Sequence, residues 1–213
     1  MLLLFDLDGT LIDSVADIAT SVNELRARHR LAPLDLATVA QFVGHGVENL
    51  VARTTGIDDR TQLEQAVRCY QSSYDRHCLE HTRPYAGVAE TLPSLRAARH
   101  SLAVISNKPE GFSVRILREL ALLEHFDLVV GGDTVCPPKP DAAPLVFAMR
   151  RLRFAPQDTW MIGDSPSDLQ AGRAAGCRTI AVTWGLRSRA ALEHERPDRI
   201  IDRFAALLEI LAA

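Results

Sequence analysis

From residue 102 onward, short apolar runs alternate with stretches of helical period, and few folds accommodate that rhythm. Strands are predicted at 102–105, 128–130, 159–162, 178–182 and 199–201, with helices at 112–122, 143–152, 169–175 and 204–211 between or after them. Strands separated by helices of this length require right-handed crossovers, and therefore a mostly parallel, doubly wound, Rossmann-like α/β sheet. The run Leu2-Leu3-Leu4-Phe5 is too short for a helix and reads as one more strand, buried on both faces. Between it and residue 82 nothing reads as a strand. Helices are expected there from Ser14, which could cap the first, and then at 36–43, 47–54 and 61–79. Pro84 and Gly87 mark a break before a helix at 88–99. The chain is thus expected to form an α/β core from 1–13 and 82–213, interrupted by a helical cap at 14–81 that acts as a lid.

The 213 residues can bury a substantial core, and a net charge of −3 points away from nucleic acid and anionic surfaces. Arg26, Arg28 and Arg30 read as a solvated helix face. No apolar stretch approaches a membrane span, so a cytoplasmic protein without membrane partners is expected, as a monomer or homodimer. Cys69, Cys78, Cys136 and Cys177 lack metal-site or disulfide spacing. His77-Cys78-Leu79-Glu80-His81 has the spacing of an inverted zinc-protease motif, but it falls at a helix end before Pro84 without an evident third ligand. A solvated helix terminus is the simpler reading.

The chemistry gathers where strands end. Asp6-Leu7-Asp8-Gly9-Thr10 follows the first strand; if the chain stays extended, Asp6 and Asp8 point to one volume, and their mutual repulsion calls for a cation. Mg²⁺ suits an oxygen-only site that bridges to phosphate. Gly9 permits a turn closed to other residues and Thr10 adds a hydroxyl. Taken alone, the motif could equally be a polar turn. Ser106-Asn107-Lys108 follows the strand at 102–105, and its hydroxyl, amide and backbone N–H groups could hold phosphate oxygens. Lys139 sits among Pro137, Pro138 and Pro140, which would fix its ammonium where phosphoryl charge moves. Gly163-Asp164-Ser165-Pro166-Ser167-Asp168 ends the strand at 159–162, so Asp164 should face Asp6 and Asp8 and complete a Mg²⁺ site. Ser165 or Ser167 could start the next helix. Asp168 reads either as a helix N-terminal carboxylate or as support for the metal ligands.

These four motifs, in this order, resemble the haloacid dehalogenase superfamily of phosphotransferases. The likeness is greatest to its phosphoglycolate phosphatase group, through Phe5 to Ser14, Gly44-His45-Gly46, Ser106-Asn107-Lys108-Pro109, Gly131-Gly132-Asp133, and Gly163 to Asp168 with Ala174-Ala175-Gly176. The resemblance implies that Asp6 attacks phosphorus to give an aspartyl-phosphate, and that Asp8 is the acid and then the base. It further implies Mg²⁺ held by the Asp6 carboxylate, the Asp8 carbonyl and Asp164, with phosphoryl oxygens held by Ser106, the Asn107 amide and Lys139. Thr10 falls among the substrate-binding positions. Gly44, His45 and Gly46 would form a loop closing on the organic part of a small phosphorylated metabolite, or else a helix-start turn. Two positions depart from the group's pattern: the proline-rich run appears as Lys139-Pro140-Asp141-Ala142-Ala143-Pro144-Leu145, lacking its middle proline, and Ser167 stands where Asn is usual. A sugar phosphomutase of the same superfamily, or a receiver-type signalling module with a phosphorylated aspartate, are the rival readings. The receiver is shorter and has no helical insert.

Overall fold

The structure is a computed structural model that describes residues 1–212. Its centre is strand β1 (Leu2–Phe5), whose four side chains are all fully buried. Alternation sends Leu3 and Phe5 to one face of the sheet and Leu2 and Leu4 to the other, and each pair joins a different apolar cluster. A strand buried on both faces must lie inside a layered α/β stack, which is why it reads as continuous apolar sequence.

Strands β4 (Ser101–Ile105), β5 (Leu128–Val130), β6 (Thr159–Gly163), β7 (Arg178–Val182) and β8 (Arg199–Ile201) complete a six-stranded parallel sheet in the order β5-β4-β1-β6-β7-β8. Helices α5 (Val88–Ala97), α6 (Glu110–Glu119), α7 (Ala143–Leu152), α8 (Pro166–Ala174), α9 (Arg189–His194) and α10 (Ala206–Ala212) connect or follow them. Leu145, Ala148 and Met149 of α7 and Ala171 of α8 cover the face carrying Leu2 and Leu4, while Val88, Leu92 and Leu95 of α5 cover the other. The chain winds outward from β1 to β5, then crosses back to β6 and winds outward again. The strand order therefore reverses about β1, and open α/β sheets bind ligands at the carboxyl ends of the strands beside such a reversal.

The helical segment comprises α1 (Val15–Arg28), α2 (Leu36–Ala40), α3 (Val47–Thr55) and α4 (Arg60–His77). Ile18, Val22 and Leu25 of α1 pack with Ala66, Tyr70 and Tyr74 of α4 in the larger apolar cluster. The chain leaves the core through β2 (Ile12–Asp13) and returns through β3 (Arg83–Pro84), which pair antiparallel. This ribbon is two residues per strand, too short to carry a readable period, and the sequence reading missed it. It missed α9 as well. Helix α2 ends at Ala40 rather than running to 43; the chain tightens into turns there, and the carbonyls of Ala40, Gln41 and Val43 accept from the Arg187 guanidinium, at 2.9, 3.3 and 2.7 Å. Helix α8 begins at Pro166, earlier than expected, with Ser165 as its N-cap.

Phe5 anchors the centre, its ring stacked on Phe204 at 5.8 Å and edge-on to Phe126 at 6.2 Å. Phe5→Ala should lower the unfolding free energy by about 3–5 kcal/mol, read from urea denaturation.

Candidate active site

Three of the four motifs leave neighbouring strand ends of the same sheet edge: β1 delivers Asp6, β4 delivers Ser106 and β6 leads to Asp164. Lys139 arrives on the loop after β5. The turn after β1 is tight. The Leu7 carbonyl accepts from the amides of Thr10, Leu11 and Ile12, and Gly9 adopts a left-handed φ of 92°. A Cβ on Gly9 would collide with the Asp164 carboxylate, so glycine is needed here for both conformation and space. Gly185, from the loop after β7, also presses on Asp164, where a Cβ would meet its Cβ.

Lys139 is the hub. Its ammonium, with a side chain only 2 % exposed, donates to Asp6 Oδ1 at 2.8 Å, Asp168 Oδ1 at 2.6 Å and the Ile105 carbonyl at 2.5 Å. Burial by itself would depress its pKa, but the adjoining Asp168 and Asp6 carboxylates overcome that and raise it above the ordinary lysine value. It is a fixed positive charge. Asp168 is a carboxylate at the start of α8, where Oδ2 takes the Ser165 amide at 3.1 Å and the Ser165 hydroxyl at 2.6 Å, while Oδ1 takes Lys139.

Carboxylate oxygens of Asp6, Asp164 and Asp168 lie within 4.8 Å of one another, and all three residues are buried. Burial, then the Asp168 charge, push Asp6 well above the carboxylate range against the pull of Lys139. Burial and Asp168 likewise raise Asp164 to about 7. One ammonium among three buried carboxylates leaves the cluster short of positive charge, and an all-oxygen, hard cluster of this kind fits Mg²⁺. Asp164 is oriented by the Leu186 amide on Oδ2 at 2.7 Å and the Thr10 hydroxyl on Oδ1 at 3.3 Å. Thr10 is fully buried and therefore touches Asp164, not the cavity.

The Asp8 carboxylate stands apart from this cluster. Its Oδ1 accepts from Lys108 Nζ at 2.5 Å and from the Ser14 hydroxyl. Ser14 occupies the N-cap position of α1, yet its hydroxyl serves Asp8 instead of capping the helix. Asp6 and Asp8 thus share one cavity, as expected from their spacing, but each carboxylate takes a different lysine.

That cavity lies between the sheet edge and the helical segment. Asp6, Asp8, Ser106 and Lys108 line its floor; Phe42, Val47, Leu50 and Phe112 are among its apolar walls. Gly44 and Gly46 also line it, whereas His45 is exposed and does not. Asn107 binds the two sides together: its side-chain amide donates to the carbonyls of Gly44 and Lys139, each at 2.8 Å, and its Oδ1 accepts from the Lys139 amide at 3.0 Å. Lys108, Tyr74, Leu186 and Arg187 are the contributors that sequence reasoning left without a role. Lys108 adjoined a recognised motif and was open to suspicion; nothing local marked the other three. The imidazoles of the 77–81 motif go separate ways, His77 to Glu24 and Glu80, His81 to Asp17, so they do not share a ligand.

A model of the haloacid dehalogenase-like hydrolase family matches residues 3–182. The phosphoglycolate phosphatase of Chromobacterium violaceum is 37% identical over 212 residues, covering 97% of this chain and 94% of that protein. That of Nitrosospira multiformis is 40% identical over 187 residues, covering 85% and 82%. Among solved structures, a haloacid dehalogenase-like hydrolase from Bacteroides fragilis superposes with a TM-score of 0.92 at 30% identity over 97% of this chain and 98% of that one. A predicted phosphoglycolate phosphatase from Haemophilus somnus gives 0.91 at 28% identity over 99% and 97%. With the motifs assembled at one sheet edge and the likeness running through almost the whole chain, the protein belongs to the haloacid dehalogenase-like hydrolases and is a phosphatase.

Proposed function

We propose that this phosphatase is a cytoplasmic, Mg²⁺-dependent enzyme that hydrolyses 2-phosphoglycolate through a phosphorylated Asp6. The arrangement of Asp6 carries the reading: Lys139 holds Oδ1, and among the described residues no donor engages Oδ2, at the floor of the cavity. The relatives bearing the phosphoglycolate phosphatase name support the choice of substrate. In this scheme Oδ2 of Asp6 attacks phosphorus as the ester bond breaks, and Asp8 gives a proton to the departing oxygen. Asp8 then takes a proton from the water that attacks the phosphoaspartate. Ser106 and the backbone amide of Asn107 hold phosphoryl oxygens, Lys139 contributes its fixed positive charge from behind Asp6, and the helical lid keeps bulk water out. Asp6, Asp164 and the Asp8 carbonyl would hold Mg²⁺, which when bound offsets charge on the phosphoryl oxygens.

The apolar walls favour a second reading, a phosphate ester with a larger organic part. A panel of phosphoglycolate, sugar phosphates, nucleotides and pyrophosphate separates the two: phosphoglycolate should show the highest kcat/KM, and another ester exceeding it about tenfold would replace it. Asp6→Asn should cut turnover by at least about 10³-fold with an unchanged circular dichroism spectrum; retained hydrolysis removes Asp6 as nucleophile. Chelation with EDTA should abolish activity and added Mg²⁺ restore it, as followed by phosphate release.

A further inference from the structure

Of the contacts that join the helical segment to the sheet edge, one ends on the carboxylate assigned to proton transfer. Lys108 Nζ donates to Asp8 Oδ1 at 2.5 Å and to Tyr74 Oη, on α4, at 2.7 Å. The Lys108 side chain is 8 % exposed and Tyr74 is almost fully buried. The Tyr74 ring is stacked on Tyr70 at 5.8 Å and lies edge-on to Phe112 at 5.2 Å, so its hydroxyl has a fixed place. The ammonium is 4.9 Å from the ring centroid but much nearer the hydroxyl, which puts it off the end of the ring, in a hydrogen bond and not above the π face. Burial lifts the phenol well above its ordinary pKa, so a neutral hydroxyl meets the lysine.

Both protein donors to Asp8, Lys108 and Ser14, engage Oδ1. Among the described residues none engages Oδ2. A carboxyl group pinned through one oxygen presents the other to the cavity. Lysine is a flexible four-carbon stem, and without a second partner its hold on Oδ1 would be shared among several rotamers.

We propose that Tyr74 is a positioning residue for proton transfer: acting through Lys108, it holds Asp8 with Oδ2 facing the scissile ester oxygen, and it does so only while the helical segment is seated on the core. The proposal rests on the reading of Asp8 as acid and base. As the bond from phosphorus to Asp6 forms and the ester bond breaks, the proton on Asp8 passes to the leaving oxygen, and the resulting carboxylate later accepts a proton from water. Lys108 and Tyr74 give up no proton. Seating of the lid thereby becomes a condition for protonating the leaving group, a form of induced fit.

An alkoxide needs that proton to depart, whereas 4-nitrophenolate does not, so the test is dependence on the leaving group. kcat/KM is measured for the best alkyl monoester of the panel above and for 4-nitrophenyl phosphate, in wild type, Tyr74→Phe and Asp8→Asn. Tyr74→Phe should lower the alkyl value about tenfold more than the nitrophenyl value, with a melting temperature within about 3 °C of wild type. Asp8→Asn should show a larger bias in the same direction. If Tyr74→Phe affects both esters alike while Asp8→Asn remains selective, Tyr74 has no positioning role and the acid–base reading stands. If Asp8→Asn also affects both alike, the acid–base reading falls and this inference with it. Should Tyr74→Phe fail to fold, Lys108→Met, made with Tyr74 intact, must show the same bias; equal losses overturn the proposal.

Discussion

A single buried ammonium holds the site together. Lys139 joins Asp6, from the first strand, to Asp168, from the start of α8, and its backbone is tied through Asn107 to the loop of the helical segment. Removing one partner of a buried, hydrogen-bonded ion pair costs about 3–5 kcal/mol, because the remaining charge is left uncompensated. The carboxylates are equally dependent on the lysine. Around it, burial raises Asp6 and Asp164, which marks the position where a dication would be stabilising.

The two lysines divide the acids into separate environments. Asp6 belongs to the cluster with Asp164 and Asp168, beside Lys139, while Asp8 belongs to Lys108, Ser14 and, through the lysine, Tyr74. Two carboxylates only two residues apart would otherwise compete for the same cation. Separate partners allow a nucleophile and a proton carrier to coexist on one turn.

Core and helical segment meet through polar groups that each serve two masters. Asn107 reaches the Gly44 carbonyl, Arg187 takes the carbonyls that end α2, and Lys108 reaches Tyr74. The same groups adjoin Lys139, the Asp164 loop and Asp8. The position of the helical segment is therefore coupled by direct hydrogen bonds to the loops that carry the chemistry.

The fold was legible because it rests on periodicity. Leu2 to Phe5, the alternating strands after residue 102 and the helices between them follow from which faces must be buried, and those patterns are local. Motifs at strand ends were legible for the same reason: Asp6, Ser106 and Asp164 each follow directly on an apolar run. The β2–β3 ribbon and α9 were too short to show a period, and the partner that takes the carbonyls at the end of α2 is Arg187, nearly 150 residues away in sequence. The roles of Tyr74, Leu186 and Ser14 were equally hidden, since a hydroxyl or amide has no pattern that announces its partner. What the sequence by itself determined was the sheet, the edge where the chemistry collects and the kinds of group delivered there. Only tertiary structure decided which carboxylate meets which cation, because pairing of buried charges depends on distances between strand ends that are remote along the chain.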